Sequence, residues 1–199
     1  MPAYDIAGAK LPPFHLSRKQ TPFANFDNDL HGQINMTFAE TLLPEFDQEM
    51  KTTRRMLERV PGEKGQWKPH EKSFSLGHLA QLVSWMPGWI TNTLTSDFLD
   101  LAGSPKYSYE KTESLLDTFD RNVREAREAI SSTKDSDIEK PWSLRMGDKN
   151  LMTMPRGATA RQHINHLVHH RGQLSVYLRL LDVPVPSIYG PTADEPWGG

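Results

Sequence analysis

The chain reads as an all-α protein: a four-helix bundle with long crossover connections, with room for a short β-hairpin before the last helix. Three observations predict this. Four segments carry apolar residues at threes and fours, the spacing of one helical face. The first and third connections between them are long, whereas an up-down-up-down bundle needs only short loops. The composition is that of a globular chain: 199 residues, 37% hydrophobic, 24% charged, with a formal net charge of −2. Such a chain is long enough to bury a core and too apolar to stay disordered.

Residues 1–34, rich in Pro and polar residues and without clean periodicity, read as an N-terminal extension on the surface or on a neighbouring subunit. Residues 35–199 hold the bundle domain. Its first helix starts at about Thr37, with Phe38, Leu42, Phe46, Met50 and Leu57 on one side, and stops at Pro61-Gly62. Pro44 should kink that helix or mark a late start. After the loop "GEKGQWKPHEKSFS", Ser75 reads as the N-cap of "LGHLAQLVSWMPGWITNTL", a segment apolar on most sides, as in a helix deep in a bundle. Pro87-Gly88 should bend it or end its first half.

A loop around Ala102–Tyr109 leads to the clearest amphipathic segment, "YEKTESLLDTFDRNVREAREAISS". Leu115, Leu116, Phe119, Val123, Ala126 and Ile130 make its stripe. Its charged face reads as solvated, with Arg121–Glu125 and Arg124–Glu128 pairs at i, i+4 in the weaker orientation. In the next connection, "WSLRM" and "NLMTM" read either as two short strands around Gly147-Asp148 or as an irregular crossover. The fourth helix should begin near Thr159, which has capping-box spacing to Gln162, and run to about Leu181. The proline-rich "VPVPSIYGP" and the tail then read as loop.

Composition also excludes. With no cysteine in the chain, there are no disulfides, thiolate ligands or cysteine nucleophiles, so a metal site must use His, Asp or Glu. There is no long basic run to attract nucleic acid. No window resembles a signal peptide or a membrane span, so a cytoplasmic protein is expected. Catalytic triads, phosphate-cradling glycine loops and paired glycosidase carboxylates have no signature.

The segment "RQHINHLVHHRGQL" holds four of the eight histidines. On a helix, His163, His166 and His170 project into one sector with Leu167, Leu174, Tyr177, Leu178 and Leu181, and His169 turns away. Imidazoles aimed into a core cannot all be protonated, because like charges repel strongly there. They need partners: either ordinary hydrogen bonds or a shared divalent cation, which His at i and i+4 can chelate together. Spacing leaves both open. A third ligand is available at His78, the one other histidine on a bundle helix, in a sector with Leu82 and Trp85. His15, His31 and His70 lie in the extension or in loops. Arg171 reads as a structural ion pair or, alternatively, an anchor for an anionic substrate. Gly172 permits close helix packing. Trp85 and Trp89 read as core or as the wall of an apolar pocket. Tyr189, Asp194 and Glu195 read as exposed loop or as a flap over a pocket mouth.

"HINHLVHHRGQL", with its H-x-x-x-H-R-G-Q core, together with "WKPHEKSFSLGHL" and "PVPSIYGPTADE", resembles the DinB-like (DinB/YfiT-like metalloenzyme) superfamily over about residues 35–195. The resemblance implies a four-helix bundle with crossovers, often a homodimer. It also implies a divalent metal held by one histidine of the second helix and two of the last. The pair maps onto His166 and His170. The second-helix position falls on Leu82, with histidine one turn earlier at His78. Zinc or nickel is the expected ion, with iron and manganese compatible. The implied function is that of a metal-dependent transferase or hydrolase acting on a small electrophile, with a low-molecular-weight thiol as partner. The catalytic residues are left unassigned. The alternative is a non-catalytic bundle with a structural or vestigial site and a stress-related binding role. Nucleic acid and membrane are not expected partners.

Overall fold

The computed structural model describes residues 36–109 and 111–196; the expected extension, with His15 and His31, lies outside the described residues. Helix α1 spans Phe38–Leu57 and opens on a full capping box. The Thr37 hydroxyl accepts from the Glu40 N–H at 3.2 Å, and the Glu40 carboxylate accepts from the Thr37 N–H at 2.7 Å. Pro44 lies inside α1 and neither delays nor ends it. The helix stops at Leu57, short of the expected Val60, although Val60 remains buried. Helix α2 spans Leu76–Thr95, capped by the Ser75 hydroxyl, and runs through Pro87-Gly88 rather than ending there. Core neighbours on most of its sides hold it: Gly77, Ala80, Leu82, Ser84 and Met86 project in different directions and are all buried.

Helix α3 spans Thr112–Ser132 and buries Leu115, Phe119, Ala126, Ala129 and Ile130. Neither expected pair within α3, Arg121–Glu125 or Arg124–Glu128, is among the ion pairs of the described residues. In that orientation the pair works against the helix dipole and gains little over hydration. Two other charges of α3 instead reach α1: Asp120 meets Arg54 at 2.9 Å, and Arg127 meets Asp47 at 3.0 Å.

The third connection is sheet, not irregular crossover. Strands β2 (Pro141–Met146) and β3 (Lys149–Pro155) pair antiparallel across a turn in which Gly147 has φ of 56°, a conformation that favours glycine. A strand not expected from the sequence, β1 (Phe98–Asp100), lies parallel to β2 and gives the order β1-β2-β3. Trp142 of β2 is fully buried and donates its indole N–H to Asn92 Oδ1 at 3.1 Å, which ties the sheet to α2.

Helix α4 spans Arg156–Leu180 and so begins three residues before Thr159. Thr159 therefore caps nothing: its hydroxyl donates back to the Pro155 carbonyl at 2.9 Å. Apolar faces of all four helices meet in one core, including Phe46, Met86, Phe119, Ile130, Ile164 and Leu174. Each such side chain contributes on the order of 1.5–3 kcal/mol when fully buried.

Arg171 of α4 is only 2% exposed. It pairs with Glu49 of α1 at 2.7 Å. One of its terminal nitrogens donates to the Glu49 carbonyl, Thr52 Oγ1 and Thr53 Oγ1 at 3.1, 2.8 and 3.0 Å. The other donates at 2.8 Å to the Tyr189 hydroxyl, which itself donates to the Glu49 carboxylate. The role is thus structural. The loop after α4 is pinned in the same way. Glu195 pairs with Arg55 and Arg59, Asp194 pairs with Arg179, and each carboxylate also accepts a backbone N–H of the loop. Removing one partner of a buried pair strands the other's charge. Arg171→Met is expected to lower the unfolding free energy by about 3–5 kcal/mol, and adding Glu49→Gln should recover part of that loss, as measured by urea denaturation.

Candidate functional site

The histidine face of α4 looks toward α2 and the rim of the core, and it is less uniformly buried than periodicity suggests. His170 is buried, His163 is half-buried and His166 is exposed. The core closes over the last two turns of the sector but leaves His166 an outlet to solvent.

His163 is a satisfied core histidine. Its Nε2 lies 3.1 Å from Thr93 Oγ1, and its ring stands edge-on to Trp142 and steeply against Trp89, with centroids 5.9 and 5.7 Å away. Burial, with some help from neighbouring His166, depresses its pKa to about 4.

His166 and His170 converge, with their Nε2 atoms 2.9 Å apart. Burial, then the neighbouring imidazoles, pushes both below the usual histidine range, so both are neutral nitrogen donors at pH 7. Gln173 sets the orientation. Its amide oxygen lies 2.7 Å from His170 Nδ1, and its amide nitrogen lies 3.1 Å from His169 Nε2. An amide oxygen only accepts, so His170 carries its proton on Nδ1 and turns the Nε2 lone pair toward His166. This role of Gln173 is not in the sequence reading, yet its signal is there: Gln173 stands three residues after His170 and four after His169, on a shared helical surface.

His78 is not gathered with the pair. Its ring stacks between Phe74, at 4.2 Å between centroids, and Tyr107, at 3.7 Å; Tyr107 in turn stacks on Trp85 at 4.7 Å. Burial, then nearby Lys68, lowers its pKa. Leu82, at the position the resemblance assigns to a ligand, is a buried core residue. Among the described residues, no group of three or more His, Cys, Asp or Glu side chains could hold a metal ion. The donor set therefore fits a divalent ion in part: two nitrogens meet at one point, and among the described residues no third donor joins them.

Trp85 and Trp89, a turn apart on α2, are half-buried and line a cavity. Trp89 also lies 5.9 Å from the His166 ring. His70 lies in the exposed loop before α2, as expected. Tyr189 is 64% exposed, and its hydroxyl is turned down onto Glu49 and Arg171. Asp194 and Glu195 are engaged by arginines and by backbone, so neither stands free as a base.

Four helices, a small sheet built from the second and third connections and two imidazoles meeting from the last helix define a helical-bundle protein with a histidine-paired site. The chain matches the model of the DinB family over residues 34–197 and belongs to that family. A solved DinB-like protein from Bacillus cereus ATCC 10987 superposes with a TM-score of 0.59 at 23% identity, covering 75% of this chain and 97% of the other. A DinB-like protein from Bacillus subtilis, YjoA, gives 0.58 at 14% identity over 74% and 96%. At these identities the likeness speaks for the fold alone. The protein YrdA of Bacillus subtilis (strain 168) is 45% identical over 42 residues, 21% of this chain. That match spans a quarter of the relative's own length, 25%.

His163 gives the fold a measurable acid sensitivity. The unfolded chain takes up this proton at the ordinary value near 6.5, and the folded chain only at about 4. Between these values the unfolded state binds more protons, so stability falls as the pH drops through the interval, by about 3 kcal/mol in total. In urea melts from pH 7 to pH 4, wild type should lose about that much more stability than His163→Gln.

Proposed function

We propose that this DinB-family protein is a metal-dependent enzyme whose divalent ion, zinc or nickel foremost, is held by His166 and His170. The reaction would be transfer of a low-molecular-weight thiol to a small electrophile, or hydrolysis of one. One observation carries the reading: two neutral imidazole nitrogens lie 2.9 Å apart, one of them oriented by Gln173. A bound ion would supply a lowered pKa to a coordinated thiol or water, giving a nucleophile at neutral pH. The protein's own part is to orient and to desolvate. Gln173 keeps the His170 proton on Nδ1, and Trp89 covers one side of His166. The side of His166 open to solvent is the path by which thiol and electrophile would enter. A homodimer and a cytoplasmic location belong to this reading. Among the described residues, no helix is long and apolar enough to cross a membrane.

A second reading, a bundle whose pair is a structural or vestigial site, is favoured by buried Leu82 and by the want of a third donor among the described residues. Metal titration with activity assays separates the two. Protein made without a histidine tag is expected to bind one equivalent of zinc or nickel in calorimetry. His166→Ala or His170→Ala should abolish that binding, Gln173→Leu should weaken it roughly 10–100-fold, and His78→Ala should leave it unchanged. Loaded protein should then turn over in a thiol-transfer or hydrolysis screen. Protein that takes up neither metal would defeat the enzymatic reading; stoichiometric metal without turnover would favour the second.

A further inference from the structure

An aromatic-walled space among the described residues shares only Trp89 with the metal reading. A cavity of about 450 Å³ opens between α2, α3 and the segment that follows β1. Trp85, Trp89 and Tyr107 form its walls, Leu101 adds apolar surface, and Arg121 and Asn122 of α3 bring the polar groups. Trp85 and Tyr107 are stacked face to face with centroids 4.7 Å apart, and His78 covers the other face of Tyr107 at 3.7 Å, so Tyr107 turns a ring edge rather than a face to the cavity. Asn122 is fixed by donating its amide N–H to the Ser84 carbonyl at 3.0 Å.

Arg121 is the distinctive group. Arg54 and Arg127 are tied to carboxylates across the α1–α3 seam. Arg121 enters no ion pair among the described residues, although Asp117 and Glu125 stand one turn to either side. A planar guanidinium matches a carboxylate bidentately, and an indole face prefers a flat ring. The volume lies within the usual range for small-molecule sites.

We propose that this cavity binds a small planar aromatic monocarboxylate, its ring against Trp85 and Trp89 beside the edge of Tyr107, and its carboxylate on Arg121. One guanidinium that enters no ion pair among the described residues can take one carboxylate, while Asp117 and Glu125 a turn away and the apolar walls reject a polyanion. Through Trp89 such a ligand would abut His166, but its binding needs no metal and stands apart from the enzymatic reading.

The test uses the full chain stripped with EDTA. 2-Naphthoate is titrated while tryptophan fluorescence is followed, and 2-naphthamide serves as the neutral isostere. Saturable quenching by naphthoate with 1:1 stoichiometry in calorimetry is expected, with naphthamide at least 10-fold weaker. Arg121→Gln should weaken naphthoate at least 10-fold and leave naphthamide unchanged, whereas Arg124→Gln on the same helix should alter neither. The proposal is overturned if naphthoate shows no saturation up to millimolar concentration. It is equally overturned if the two ligands bind alike, or if Arg121→Gln leaves naphthoate binding intact. Because the metal is removed at the outset, failure of the metal reading leaves this result untouched.

Discussion

A guanidinium inside a helical bundle must be matched nearly donor for donor, and the rest of the structure is arranged around that constraint. Arg171 finds its matches in one place: the carboxylate and carbonyl of Glu49, the hydroxyls of Thr52 and Thr53, and the hydroxyl of Tyr189. All but the last lie on one turn of α1, so the rotation of α4 about its axis is determined. Turning α4 by even one residue, about 100°, would leave a buried cation and a buried anion unpaired. With Arg171 facing α1, the neighbouring position 170 and its partners 166 and 163 face α2 and the rim. Thr93 and Trp89 of α2 then fall beside them. The ion pair that carries no chemistry is thus what aims the residues that could.

The imidazoles meet two different solutions to the cost of burial. His163 is resolved locally, by a hydroxyl and two indole edges, and needs nothing further. Among the described residues, His166 and His170 are resolved by each other and by Gln173, and His166 also meets solvent. Without a ligand, one neutral ring must donate to the other through Nε2, which puts the His166 proton on the nitrogen that faces His170. Two lone-pair-bearing nitrogens at that separation would repel, and a cation between them removes the conflict. The same neutrality that burial enforces on the pair is the state a ligand requires.

Much of this was legible before the fold was known, and what was not has identifiable causes. The spacing of Phe38, Leu42 and Phe46, and of Leu115, Phe119 and Ala126, gave two helices within a few residues, because each is half-solvated and its period is clean. The start of α4 was misread because Thr159 and Gln162 have capping spacing, yet the hydroxyl of Thr159 is used inside the first turn. Pro87 suggested a break in α2, but packing on most sides outweighs the one backbone hydrogen bond a proline removes. The pairing of His166 with His170 follows from i, i+4 alone. The position of His78 does not, because its stack with Phe74 and Tyr107 depends on where the connection after α2 returns to the bundle, and no local pattern encodes that return.

That return is also what the small sheet accomplishes. β1 is three residues long and has no alternation to announce it; it exists because β2 offers it an edge forty residues later. The parallel pairing of Phe98–Asp100 with Ser143–Arg145 is locked by Asp100, which accepts the N–H of Gly147 at 3.0 Å and that of Ala102 at 2.9 Å. Those bonds, the Gly147 one first, hold its carboxyl below the usual range. Asp100 thereby fixes Leu101 and the chain beyond it against α2 and α3, where Tyr107 closes over Trp85. Trp142, from the same sheet, reaches the other way to Asn92 and His163. The second and third connections thus act as one device: their pairing makes the wall of the aromatic cavity on one side of α2 and packs the histidine face on the other. Weakening the β1–β2 junction should therefore disturb both places together while leaving the Arg171 anchor, on the α1-facing side of α4, intact.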